Sequence, residues 1–288
     1  MMTTPMTSPP RAPAALRMTP GRWVALAIGV PIALAFIGWS AFSLVANLGR
    51  ASFHVNTTIP VQGGHLVAST GGGDVTVHQD EARSSKARLV GTVQYSLIRP
   101  NLTINRDGLH LDCRLPTGNC GLNATLDVPP DTSVQLTTGG GNMQVSGIQS
   151  DVTLDSGGGD VAVSGVGGTA NVSTGGGNVT ASDLGNTLKF FTGGGDLNGN
   201  DLFAPRVTTE SGGGNVTLVF TRAPVNLNIH SNGGDITIVL PHGSTRYAIP
   251  NPTTDGGGYS AQVPTSSTSG NTIAVASGGG NIRITEAS

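Results

Sequence analysis

From Asn142 to Leu240 the chain repeats one arrangement of apolar and polar positions. Counting from an Asp or Asn at 142, 160, 178 and 196, the period is 18 residues; positions 215 and 235 follow after insertions of one and two. Apolar residues recur at offsets 1, 3, 6, 10 and 12: Met143, Val145, Ile148, Val152 and Leu154, then Val161, Val163, Val166, Ala170 and Val172, then Val179, Ala181, Leu184, Leu188 and Phe190. Offsets 1 and 3, and again 10 and 12, alternate with polar residues, the period-two pattern of a strand with one buried face. A unit this short cannot enclose a core alone, whereas stacked units bury their inward side chains on one another. At about 3.3 Å per residue each unit traces a coil of roughly 60 Å, with strands pairing ~4.8 Å apart from rung to rung. The pattern predicts an all-β fold, a β-solenoid with 18 residues per coil.

Each Asx follows a glycine-rich phrase, used eight times: "STGGGDVTV", "TTGGGNMQV", "DSGGGDVAV", "STGGGNVTAS", "FTGGGDLNG", "ESGGGNVTL", "HSNGGDITI" and "ASGGGNIRI". We read these phrases as corners, where glycine reaches φ > 0 without steric cost and the Asx side chain bonds local backbone. The corner ladder is then Asp74, Asn142, Asp160, Asn178, Asp196, Asn215, Asp235 and Asn281. From 142 to 235 Asn and Asp alternate. Stacked carboxylates ~4.8 Å apart would repel; alternation doubles the distance, and salt screens most of the remainder. Each Asn can also donate to the Asp above or below, as in amide ladders.

Outside this frame the pattern loosens. Within residues 51–130, "FHVNTTIPV", "ARLVGTVQYSL", "LTINRDGLHLDC" and "LNATLDVPP" read as strands that begin the solenoid and cap its end, hiding a sheet edge. Residues 131–288 form the regular solenoid, with a Thr/Ser/Gly/Pro-rich excursion at 250–270 before a final rung from Asn271 to Thr285. At the other end, residues 23–49 hold no charge. A helix of that length exceeds the ~30 Å hydrocarbon core, and Pro31 kinks it. Arg11, Arg17 and Arg22 precede it without an acid, so residues 1–22 read as a disordered cytoplasmic tail and the remainder as exported. The rival is a cleaved signal peptide, for which the run is long and the best cleavage site, Ala41-Phe42-Ser43, is weak. The location that follows is the plasma membrane, crossed once.

Charged residues make up 11% of the chain, and beyond Arg50 there are 11 basic and 17 acidic residues. This mildly acidic surface would repel nucleic acid. Cys113 and Cys120 are the only cysteines. Export permits a disulfide, and Pro116 and Gly118 supply the turn between them; two lone thiols are too few for a metal site. Three phrases imitate active sites. "DSG" at Asp155 lacks the second carboxylate loop that an aspartic protease needs. "GVGGTA" from Gly165 lacks the helix that receives a pyrophosphate. The "GGGD" corners lack the nine-residue tandem of calcium-binding repeats. No catalytic residue, metal or cofactor emerges.

The "STGGGDVTV" rungs, the "LDVPP" lead-in and the late "GGDITIVLP" resemble the bacterial putative-adhesin family of β-solenoids, a domain of unknown function. The resemblance covers most of residues 51–288 and implies a cell-envelope protein, with no catalytic residues to carry over. Three functions stay open. The first is a non-enzymatic envelope scaffold that binds a protein or glycan, with end-to-end association of solenoids as a further option. The second is a sensor of envelope stress or antimicrobial peptides acting through a membrane partner. The third, the weakest, is a β-helix enzyme acting on polysaccharide.

Overall fold

The computed structural model describes residues 28–40, 49–61, 63–80, 85–105, 108–113 and 120–287. The chain divides into two units, Met1–Gly49 and Arg50–Ser288. In the first, residues 28–40 are helical. Thirteen residues span about 20 Å, and among the described residues no helix is long and apolar enough to cross a membrane. The expected span at 23–49 and tail at 1–22 lie partly or wholly outside the described residues.

The second unit is built of strands. In chain order they are β1 (Arg50–Pro60), β2 (His65–Thr70), β3 (Val75–Gln79), β4 (Lys86–Ser96), β5 (Asn101–Asn105), β6 (Gly108–Asp112), β7 (Gly121–Val128) and β8 (Ser133–Thr138). The regular region continues with β9 (Met143–Ser146), β10 (Val152–Ser156), β11 (Val161–Val166), β12 (Ala170–Thr174), β13 (Val179–Leu184), β14 (Thr187–Thr192), β15 (Leu197–Leu202) and β16 (Arg206–Ser211). Then follow β17 (Val216–Phe220), β18 (Asn226–Ser231), β19 (Ile236–Leu240), β20 (Thr253–Thr254), β21 (Tyr259–Gln262), β22 (Thr272–Ser277) and β23 (Ile282–Glu286).

From β8 onward each coil lays one strand in each of two sheets, and like strands pair in parallel with an 18-residue register, as Val161 with Val179 and Val152 with Ala170. One sheet has 12 strands, in order β1-β4-β7-β3-β9-β11-β13-β15-β17-β19-β23-β21. The other has 11, in order β20-β22-β18-β16-β14-β12-β10-β8-β2-β6-β5. The core lies between them. Val161, Val163, Val166, Ala170 and Val172 are all buried, as are their counterparts one coil on. Aligned columns of Val, Leu and Ile thus form a continuous apolar seam, which is what a stack of incomplete units needs.

The ends depart from simple stacking. The coil of β6 and β7 lies outside that of β2 and β3, although it follows it in the chain. Beyond it, β4 pairs antiparallel with both β7 and β1, and β5 antiparallel with β6. Antiparallel strands therefore terminate both sheets at this end. At the far end, the excursion at 250–270 is itself the outermost coil: β20 pairs with β22 and β21 with β23. The coil of β22 and β23, expected as the final rung, is inserted between the excursion and the coil of β18 and β19.

Candidate functional site

The glycine corners carry the most ordered polar array in the molecule. Each Asx Oδ1 accepts the backbone N–H of the Asx on the next rung. Asp160 accepts from Asn178 at 2.7 Å, Asn178 from Asp196 at 2.9 Å, Asp196 from Asn215 at 2.7 Å and Asn215 from Asp235 at 2.9 Å. Toward one end, Asn142 accepts from Asp160 and Asp74 from Asn142, both at 2.9 Å. Toward the other, Asp235 accepts from Asn281 at 2.6 Å and Asn281 from Gly258 at 2.9 Å. The bonds satisfy corner N–H groups that no strand partner reaches. Those to Asp196, Asp160 and Asp235 are the short ones, as charge-assisted bonds are. Side-chain donation from Asn to Asp is seen between Asn281 and Asp235 at 3.2 Å.

Asn123 completes the ladder: its Oδ1 accepts the N–H of Asp74 at 2.8 Å. It was absent from the sequence reading because "CGLNATL" has no glycine triplet before the Asn. The disulfide corner replaces the triplet there. Cys113 and Cys120 are bridged, their Cα atoms 6.0 Å apart, and a Cβ on Gly71 would run into Cys113 Sγ. In spatial order the column reads Asn123, Asp74, Asn142, Asp160, Asn178, Asp196, Asn215, Asp235, Asn281, so Asn and Asp alternate over its whole length.

A second column runs inside the first. Thr174 Oγ1 donates to the carbonyl of Gly159 at 2.8 Å and accepts the N–H of Gly177 at 3.1 Å. Ser156, Thr192, Ser231 and Ser277 repeat both bonds. The sequence carried this signal, since Ser or Thr precedes the glycine-rich run in all eight phrases.

The reason for glycine also differs from the expected one. In the regular coils positive φ belongs to Gly147, Gly165, Asp183 and Asp201 (71°, 62°, 55° and 54°), five residues beyond the Asx, and to none of the corner glycines there. At the corners the constraint is stacking. A Cβ on Gly175 or Gly177 would overlap the carbonyl of Gly157 or Gly159 on the preceding rung, whereas one on Gly176 would meet nothing within 4 Å.

Outside the ladder lies an open groove of about 570 Å³, lined by Asp74, Asn142, Asp160, Asn178 and Asp196 and by Thr76, Gln144, Thr180 and Asn198 of the adjoining sheet face. It offers amide and hydroxyl groups on successive rungs and a carboxylate on every second one. On the opposite sheet Phe191, 44% exposed, borders a smaller depression of about 370 Å³ with Lys189, Asp155 and Glu210. Among the described residues no three His, Cys, Asp or Glu side chains converge on a metal position.

Two solved structures resemble the chain. One is a putative adhesin from Bacteroides fragilis NCTC 9343, with TM-score 0.48, 15% identity and coverage of 82% of this chain and 97% of that one. The other is a putative cell adhesion protein from Clostridium sporogenes ATCC 15579, with TM-score 0.28, 15% identity and coverage of 83% and 100%. No curated protein matches. The Toastrack DUF4097 family model matches residues 59–286, from the end of β1 to the end of β23. With the whole two-sheet stack inside that match, the chain belongs to the Toastrack DUF4097 family.

Proposed function

We propose that the chain is an extracytoplasmic binding scaffold of the cell envelope. Residues 23–49 hold it in the plasma membrane, the N-terminus stays cytoplasmic, and the solenoid presents its polar face to an envelope protein or glycan without catalysing a reaction. The groove along the corner ladder carries this reading. Its hydroxyl and amide groups recur once per rung at ~4.8 Å, a spacing suited to a ligand that is itself polar and repetitive. A rigid, pre-formed array loses little entropy on binding, which favours recognition by many weak contacts. Anchoring is supported by the helical residues 28–40, where Ile28, Leu34, Phe36, Ile37 and Trp39 are all exposed. Apolar side chains on all sides of a helix call for a lipid or protein cover.

The test is retention of envelope proteins and cell-wall glycans on purified residues 50–288. Specific retention that falls with Gln144→Ala and Thr180→Ala is the expected result. Retention indifferent to both substitutions, or cleavage of a glycan, would overturn the scaffold reading.

A further inference from the structure

The end of the domain where the chain enters differs from the rest in charge, exposure and strain. The strands β1, β4 and β5 and the turn 97–100 contain Arg50, Lys86, Arg88 and Arg99 and no acidic residue. Residues 129–288 hold five basic and eleven acidic residues, a net −6. The molecule is thus electrically polar along its stack, with its cationic pole at the entry end.

That pole also carries the domain's one adjacent pair of exposed large apolar residues, among those described: Leu97 at 43% and Ile98 at 46%. Leu97 has a φ of 64°, a left-handed conformation that glycine or asparagine adopts readily and a bulky side chain does not. A strained leucine aimed at solvent stabilises nothing within the domain. The apolar side chains of the terminal strands, Phe53, Val55, Leu102 and Ile104, are only half-buried. Arg50 pairs in register with Ser96, beside the turn, and the Arg99 guanidinium lies 4.5 Å from the Phe53 ring centre. Arg50 directly follows the uncharged segment that ends at Gly49.

The geometry points to this end as a lipid-docking surface: the Leu97–Ile98 turn enters the headgroup layer of an anionic bilayer, with Arg50 and Arg99 against its phosphates. Paired apolar and cationic groups are the chemistry of interfacial attachment. The acidic remainder of the stack is repelled by the same surface, so the solenoid stands outward with its groove clear of the bilayer. This inference rests on the membrane anchoring proposed above.

The only tryptophans are Trp23 and Trp39, which permits a single-reporter experiment on the full chain. A variant with Trp23→Phe, Trp39→Phe and Ile98→Trp is reconstituted in vesicles of phosphatidylglycerol and brominated phosphatidylcholine. Its emission should fall by roughly half or more relative to unbrominated vesicles, and less in phosphatidylcholine alone. Tyr259→Trp in the same background, at the far end of the stack, should be unaffected. Leu97→Trp replaces the first reporter if that variant does not fold. Protein that floats with the vesicles while residue 98 escapes quenching overturns the docking and leaves the anchor standing. Protein that stays off the vesicles overturns both. Equal quenching in phosphatidylcholine alone overturns the role given to the arginines.

Discussion

Thr174 and Thr209 place the same side chain in the interior under opposite conditions. Both are buried. Thr174 Oγ1 has its donor and acceptor at the glycine corner, whereas Thr209 Oγ1 has no hydrogen-bond partner and stands in an apolar column between Phe190 and Ile229. Valine is close in shape to threonine, so the exchange isolates the hydroxyl. Thr174→Val should cost about 1–3 kcal/mol, because it leaves the Gly177 N–H and the Gly159 carbonyl unpaired, while Thr209→Val should gain roughly 1 kcal/mol by removing an unpaired polar atom. Urea denaturation of both variants checks this; midpoints that move in the same direction refute it. Residue-level roles were only partly legible in the sequence. The inward apolar set could be read because period and burial coincide. The hydroxyl column could not be separated from ordinary turn serines and threonines, and Asn123 was hidden because a disulfide stands where its glycines would be.

A coil is set by its corner, and the corner makes unequal demands on its three glycines. Stacking against backbone one rung away cannot be relieved by a rotamer change, so Gly177→Ala should destabilise by about 3 kcal/mol. Gly176→Ala points into open space and should be neutral or stabilise by about 0.5 kcal/mol through the unfolded chain. Thermal denaturation of the pair distinguishes stacking from a need for left-handed backbone, which would penalise neither in this order. Asn232 already fills the first corner position in one coil, so the third glycine is the stricter one. The ladder adds a charge rule. Asn178→Asp keeps the acceptor for Asp196 but sets a third carboxylate between Asp160 and Asp196. Each new pair at ~4.8 Å repels by about 0.9 kcal/mol in water, and these side chains face solvent. Repulsion raises the folded-state pKa of the new group, so the loss is present at neutral pH and fades as pH falls toward 3. A loss that is flat with pH, or no loss at low salt, would mean the carboxylates do not sense one another. The period was legible at this scale, but the order of the end coils was not. Parallel rung-to-rung pairing looks alike for any two coils, so nothing local tells β3 to accept β7 on one side and β9 on the other.

At the scale of the whole chain the deciding asymmetry is between an uncharged segment of 27 residues, 23–49, and a domain whose polar faces need water. The helical residues 28–40 cover about 20 Å of the ~30 Å hydrocarbon thickness, so a full crossing requires the flanking uncharged residues to complete it. Three arginines before the segment, with no acid among them, fix its direction by the positive-inside rule. The domain then folds outside, where the Cys113–Cys120 bridge is stable against reduction. Protease added to intact protoplasts should therefore remove residues 50–288 from the cell pellet, and the domain should stay with the pellet when protease is omitted. Protection from protease would place the domain inside and reverse the topology. Release into the medium with a new N-terminus near Phe42 would show a cleaved leader instead. In that case the solenoid would have to reach its partner by diffusion, and the cationic end of the stack would be its remaining means of holding to a membrane.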